Sequence, residues 1–271
     1  MVSDLERVRA FLADNGPFAI AVSGGVDSMT LAVVAHRLDP ATEIYHALSP
    51  AVPPKATGRV RTYARREQWN LKLIDAGEID DPDYLSNPAN RCYFCKTHLY
   101  DAVVGHTALT VASGTNLDDL GDYRPGLTAA REHGVIHPWV ESGISKAALR
   151  EIARELGLDD LSELPAAPCL SSRVTTGVRI DADLLPLVDE AEEALWAALP
   201  EHLGIAGIRC RIRPDHVGVE VETAGEWRFD DETLALARTV VTRIFGDRAG
   251  YVPVEPYRRG SAFLIDTVEI D

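Results

Sequence analysis

The stretch Ala19-Ile20-Ala21-Val22-Ser23-Gly24-Gly25-Val26-Asp27-Ser28 constrains the fold more than any other part of the chain. Residues 18–22 form a short apolar run of buried-strand type that stops at Ser-Gly-Gly, and a helical pattern over 29–38 starts just beyond it. The two glycines let the backbone turn tightly and come close to a ligand. The N–H groups of Gly24, Gly25 and Val26, with the hydroxyls of Ser23 and Ser28, could then face an anion at a helix N-terminus, where the dipole favours negative charge. No Gly-Lys-Ser/Thr follows, so this is not the Walker-type phosphate loop.

The flanking pattern alternates. Further strands are expected at 43–47, 71–74, 109–112 and 135–137, and helices at 4–14, 54–68, 92–104 and 146–156. That order implies an α/β fold with a doubly wound, mostly parallel sheet, whose ligand lies beyond the C-terminal strand ends. This domain is assigned to residues 1–164. Residues 165–180, with Pro165 and Pro168, read as a linker carrying Cys169. Residues 181–271 read as a smaller α+β domain. It has a helix at 182–199, strands at 208–212 and 217–221 joined by Arg213-Pro214-Asp215-His216, a helix at 233–245 and a strand at 251–254.

A formal charge of −15 argues against a nucleic-acid partner, which needs a basic face. No apolar run reaches the length of a membrane span, and the N-terminus lacks a signal-peptide core. A cytoplasmic protein without a membrane partner is therefore expected. In that reducing setting the four cysteines point to metal binding or catalysis rather than to disulfides.

Cys92 and Cys95 form a C-x-x-C pair at a helix start, a position that lowers a thiol pKa, with Arg91 and Lys96 beside them. Zinc would need a second pair or matching histidines; a pair of inert buried thiols is the plainer alternative. Cys169, next to Ser171, Ser172 and Arg173, reads either as an activated thiol or as a cysteine packed under a domain junction. Three cysteines from two loops could instead hold a 4Fe–4S cluster with one iron left open. Cys210 alternates with Ile208 and Ile212 and reads as structural. In Gly114-Thr115-Asn116-Leu117-Asp118-Asp119-Leu120-Gly121-Asp122-Tyr123-Arg124-Pro125-Gly126, Asp118, Asp119 and Asp122 could hold Mg²⁺, or could be a solvated acidic turn. Arg124 could clamp a phosphate or a carboxylate.

The Ser-Gly-Gly-Val-Asp-Ser loop resembles the PP-loop of the ATP pyrophosphatases. Together with Gly-Thr-Asn-Leu-Asp-Asp, Asp-Tyr-Arg-Pro-Gly, Pro-Cys-Leu-Ser-Ser-Arg, Gly250-Tyr251-Val252 and Tyr257-Arg258-Arg259-Gly260-Ser261, it resembles the LarE family of ATP-dependent sulfur transferases. These mature the nickel-pincer cofactor of lactate racemase. The resemblance implies that ATP adenylates a carboxylate of a pyridinium mononucleotide, releasing pyrophosphate. A sulfur nucleophile then displaces AMP to give a thiocarboxylate. It implies that Ser23, Gly24, Gly25, Asp27, Ser28, Gly114 and Asn116 bind ATP, with Asp27 and Cys169 in catalytic roles. Cys92, Cys95 and Cys169 match the branch whose three cysteines hold a 4Fe–4S cluster. Another branch sacrifices the sulfur of a single cysteine, here Cys169. Arg173, Arg209 and Arg211 are implied to bind the substrate's phosphate or carboxylate, and a symmetric homo-oligomer is implied. The Arg213–His216 turn, Glu220 and the tail after Ser261 depart from the family pattern and bear on the substrate more than on the reaction. An ammonia-using PP-loop synthetase and a non-catalytic nucleotide- or metal-binding regulator are the other readings.

Overall fold

Strand-length apolar runs separated by helices give the first unit a parallel sheet. The computed structural model describes residues 2–121, 124–166, 168–227, 229–258 and 260–263. The chain divides into two units. The first takes the chain up to Asp81 and resumes at Asn90; the second takes Pro82–Ala89 and the chain from Pro168 onward.

In the first unit α1 (Asp4–Asn15) starts with a capping box, in which Ser3 Oγ accepts from Glu6 N–H at 3.2 Å and Glu6 answers Ser3 N–H at 2.8 Å. It leads into β1 (Phe18–Ala21), α2 (Val26–Leu38), β2 (Glu43–Leu48), α3 (Pro54–Glu67) and β3 (Asn70–Asp75). A four-residue helix, α4 (Pro82–Leu85), belongs to the second unit. The first unit continues with α5 (Arg91–Val104), β4 (Thr110–Ser113), α6 (Pro125–Glu132), α7 (Pro138–Glu141), α8 (Lys146–Glu155) and α9 (Asp159–Ser162). The strand order is β3-β2-β1-β4, all parallel.

Helices cover both faces of this sheet, so alternate residues of one strand enter different cores. Phe18 and Ile20 join a cluster with Met29, Leu31, Leu149 and Trp139. Ala19 joins Tyr45, Tyr100, Val103 and Val111 on the opposite face. The chain leaves β1 towards β2 on one side, and β4 returns on the other. The crevice where the winding reverses therefore opens at the C-terminal ends of β1 and β4.

Two expectations are corrected. The strand expected over 135–137 is only a single bridge between Ala112 and Ile136, because Pro138 begins α7 at once and has no N–H for a ladder. The strand expected over 251–254 begins instead at Val254, just after Pro253. After β4 the chain makes a tight helical turn, Leu117–Gly121.

The second unit contains α10 (Leu184–Ala198), the antiparallel pair β5 (Ile205–Ile212) and β6 (Val217–Thr223), α11 (Asp231–Phe245), and β7 (Val254–Pro256) parallel to β6. Leu185, Val188, Ala191 and Leu195 of α10 are fully buried, as is Cys210 of β5. The Cys210 thiol is pushed well up by that burial, in keeping with a structural role. Residues around Cys169 are bound into this unit. Tyr84 and Ser171 share a hydroxyl hydrogen bond of 2.6 Å, and Asn87 Nδ2 donates to the carbonyls of Thr175 at 2.8 Å and Val178 at 3.0 Å.

Glu192 of α10 ties the unit together. Its Oε1 accepts from Arg173 Nε at 3.0 Å and from Cys210 N–H at 2.9 Å, and its Oε2 accepts from Arg173 Nη2 at 2.9 Å. Glu192→Ala strands a buried guanidinium and a buried N–H, and should destabilise this unit by about 3–5 kcal/mol. Urea denaturation followed by circular dichroism checks this; Glu192→Gln, which can still accept from Cys210 N–H, should cost less.

Candidate active site

The β1–α2 turn is built by sterics. Gly24 has φ +82°, and a Cβ there would meet Ala56 Cβ and the Ala56 carbonyl at 2.9 Å. Gly114, just after β4, packs on the first turn of α2, and a Cβ there would lie 2.6 Å from Ser28 N. Only glycine satisfies both approaches. Gly25 is the N-cap of α2 and brings no side-chain cap, so the first-turn N–H groups point to the crevice without one. Ser28 Oγ braces the loop by accepting from Ser23 N–H at 3.0 Å, and lies 3.3 Å from Ser23 Oγ.

Asp27 is held from two sides. Asn116 Nδ2 donates to its Oδ1 at 3.2 Å, and Lys146 Nζ meets its Oδ2 at 2.5 Å. Trp139 Nε1 donates to the Asp27 carbonyl at 3.1 Å. Asn116 is almost fully buried, and its Oδ1 accepts from Asp118 N–H at 3.0 Å. The acidic segment holds its own turn: Asp119 Oδ2 accepts from Asn116 N–H at 3.1 Å, and Arg124 reaches Asp119 Oδ1 at 2.7 Å. Asp118 Oδ2 accepts from Lys146 N–H at 2.5 Å, capping the start of α8. Asp122 lies outside the described residues, and among those described no group of three or more His, Cys, Asp or Glu side chains is gathered for a metal ion.

Behind the loop, His46 is buried between Val22 and α3. Its Nδ1 lies 2.8 Å from the Val22 carbonyl, so Nδ1 carries the proton, and Nε2 accepts from the Thr57 hydroxyl at 2.9 Å. Burial, helped by Arg61, holds this imidazole below its ordinary value. His137 is likewise held down by burial, with its Nδ1 2.9 Å from Ser113 Oγ.

Cys92 and Cys95 lie one turn apart in the first turns of α5, Cys92 exposed and Cys95 half-buried. Gly126 lets α6 close on this turn, since a Cβ there would be 2.9 Å from Lys96 Cγ and 3.5 Å from the Cys92 carbonyl. The segment from Gly114 to Gly126 thus begins on the α2 turn and ends on the C-x-x-C turn.

Cys169, Arg173, Arg209 and Arg211 belong to the second unit. Cys169 is exposed, just before the turn Leu170–Arg173. Arg173 is buried on Glu192, and Arg211 Nε on Glu220 at 3.0 Å. Arg213 and Ser261 also donate to Glu220. Arg209 differs: among the described residues its Nη1 donates only to the Ile208 carbonyl at 2.8 Å, and its guanidinium lies 5.9 Å from the Tyr257 ring centroid. Burial, then the nearby Arg173 cation, lowers its pKa.

Sequence reasoning missed Lys146, His46, Trp139 and Arg59. Lys146 did carry a signal. It opens a helix capped by Ser145, where the dipole disfavours a cation unless an anion faces it.

No protein-family model matches the chain. The chain is 37% identical over 226 residues to the uncharacterized protein slr1717 of Synechocystis sp., covering 81% of each. The chain belongs to the same family as that protein. The uncharacterized protein MJ0830 of Methanocaldococcus jannaschii is 29% identical over 185 residues, 67% of this chain and 70% of its own. The pyridinium-3,5-bisthiocarboxylic acid mononucleotide synthase of Lactiplantibacillus plantarum is a distant homologue, 27% identical over 222 residues, 79% of this chain and 78% of its own.

His46 supplies a pH prediction. Its folded pKa is depressed, so the unfolded chain binds more protons near and below the ordinary imidazole value of 6.5. The stability contributed by neutral His46 is fully present above that value and is lost as the pH falls. His46→Asn keeps a donor for the Val22 carbonyl and should flatten this part of the profile. Thermal unfolding between roughly pH 5 and 8, wild type against variant, checks it.

Proposed function

We propose that the chain is an ATP-dependent sulfur transferase of the LarE type, acting on a phosphate-bearing pyridinium-like carboxylate. The observation that supports this most is the α2 turn, with uncapped N–H groups beside an Asp27 fixed by Asn116 and Lys146. The distant homology to the bisthiocarboxylic acid mononucleotide synthase supports the substrate class.

In this reading a substrate carboxylate oxygen attacks the α-phosphorus of ATP. The bond between that phosphorus and the α–β bridging oxygen breaks, and pyrophosphate leaves with the electron pair. The loop N–H groups and Ser23 and Ser28 stabilise the charge that grows on the leaving group. Mg²⁺ is commonly held by one or two carboxylates plus phosphate oxygens; Asp118, whose Oδ1 bonds nothing among the described residues, would offer one such oxygen, whereas Asp27 and Asp119 are engaged by Lys146 and Arg124. The adenylate is then open to sulfur, which adds to the acyl carbon as the C–O bond to AMP breaks. Arg209, a half-buried guanidinium with no carboxylate bonded to it among the described residues, suits the substrate phosphate.

Cys92, Cys95 and Cys169 are proposed as ligands of a 4Fe–4S cluster, which would carry the transferred sulfide at its open iron. Thiolates are the donors such a cluster takes, and the exposed Cys92 and half-buried Cys95, in neighbouring turns of one helix, suit a chelating pair. Cys169 is free and exposed, as a third ligand or a sacrificial donor requires.

Two measurements test this. ATP turnover should release pyrophosphate rather than phosphate. Protein purified without oxygen should contain about four irons per chain, and Cys92→Ala should lose them. A colourless, iron-free protein that still releases pyrophosphate would overturn the cluster and leave Cys169 as the sulfur donor.

A further inference from the structure

Pyrophosphate is a multiply charged leaving group, and this phosphate loop contains no lysine or arginine of its own. Lys146 reaches the loop but is paired with Asp27 at 2.5 Å, so the pair brings no net charge. A second cation touches the loop: Arg59 of α3 donates from Nη1 to the Gly24 carbonyl at 2.6 Å. Among the described residues no carboxylate bonds to this half-buried guanidinium. Its remaining N–H donors leave a fork edge suited to phosphate oxygens.

The side chain is delivered to a fixed place. Ala56 abuts Gly24, and Thr57 is joined through His46 to the Val22 carbonyl, so the start of α3 is braced against the loop on both sides of Ser23. The helix is also the wrong colour for this chain. Lys55, Arg59, Arg61, Arg65 and Arg66 stand against Glu67 alone, in a protein of net charge −15. Glu67 is itself bonded to Arg37 at 2.8 and 2.9 Å.

We propose that Arg59 binds the β- and γ-phosphates of ATP and holds the pyrophosphate as it leaves. The proposal rests on the ATP-pyrophosphatase reading above. When the bond to the α-phosphorus breaks, negative charge grows on the departing oxygen. A guanidinium anchored to Gly24 meets that charge without reorganising. The AMP portion makes no use of it, so the contribution is specific to the outer phosphates.

Calorimetric titration with Mg-ATP, Mg-pyrophosphate and AMP, on wild type, Arg59→Ala and Arg59→Lys, tests this. Arg59→Ala should weaken ATP and pyrophosphate binding roughly tenfold or more, while AMP changes less than about twofold. Arg59→Lys, which keeps the charge but loses the fork, should recover part of the loss. If ATP and AMP weaken equally, Arg59 only braces the loop, and the proposal is overturned. Unchanged ATP and pyrophosphate affinity in Arg59→Ala overturns the role of Arg59 alone. A wild-type protein that binds neither ATP nor pyrophosphate overturns the pyrophosphatase reading, and this proposal with it.

Discussion

Two close backbone approaches set the geometry on which the rest of the first unit depends. Gly24 lies against Ala56, and Gly114 lies against Asp27 and Ser28. At each place a Cβ would fall under 3 Å from a neighbouring atom, so the absence of a side chain is what lets α2, α3 and the end of β4 converge. The convergence occurs at the reversal point of the sheet, where two loops diverge from neighbouring strands. The helix dipole, the uncapped N–H groups and the polar side chains of three segments then share one crevice. Widening the Gly114 contact would draw Asn116 away from Asp27, and widening the Gly24 contact would draw α3 away from the loop.

Charge is managed around that loop by pairing. Asp27 at the first turn of α2 is where the dipole welcomes an anion, yet a bare carboxylate there would repel phosphate. Lys146 cancels it, and Asn116 fixes its rotamer. Lys146 is tolerated at the start of its own helix because Asp118 and Asp27 face it. Each ion thus explains the other's position, and the pair leaves the loop N–H groups to set the sign of the local field.

The central architecture was legible from the chain because its signals are local. The apolar run over 18–22, the Ser-Gly-Gly turn and the helical pattern over 29–38 each follow from residues close in sequence. The failures have one local cause and two long-range ones. Ile136 pairs with Ala112, but a proline two residues later leaves no room for a strand. Residues 82–89 fall within the span 1–164 that the sequence assigns to the first domain. Only contacts across 87 or more residues, from Tyr84 to Ser171 and from Asn87 to Thr175, assign them to the second unit. Asn116 and Asp27 were both legible as site residues, but the lysine that pairs with Asp27 stands 119 residues from it. No periodicity reports a pairing of that range.

The arginines of the second unit show the same difference between pattern and environment. Strand alternation puts Arg209 and Arg211 on one face, and a motif supplies Arg173, so sequence treats the three alike. Burial separates them. Arg173 and Arg211 are each satisfied by a buried glutamate, and the Arg173 pair also takes in the Cys210 N–H. A desolvated guanidinium already bonded to a carboxylate gains little from a second anion, since the first has offset most of its burial cost. Their bonds tie the sheet to the turn after Cys169. Arg209 is desolvated without that compensation, and its depressed pKa reflects the cost. An anion arriving there recovers that cost on binding, which makes Arg209 the member of the set with the most to gain from a phosphate.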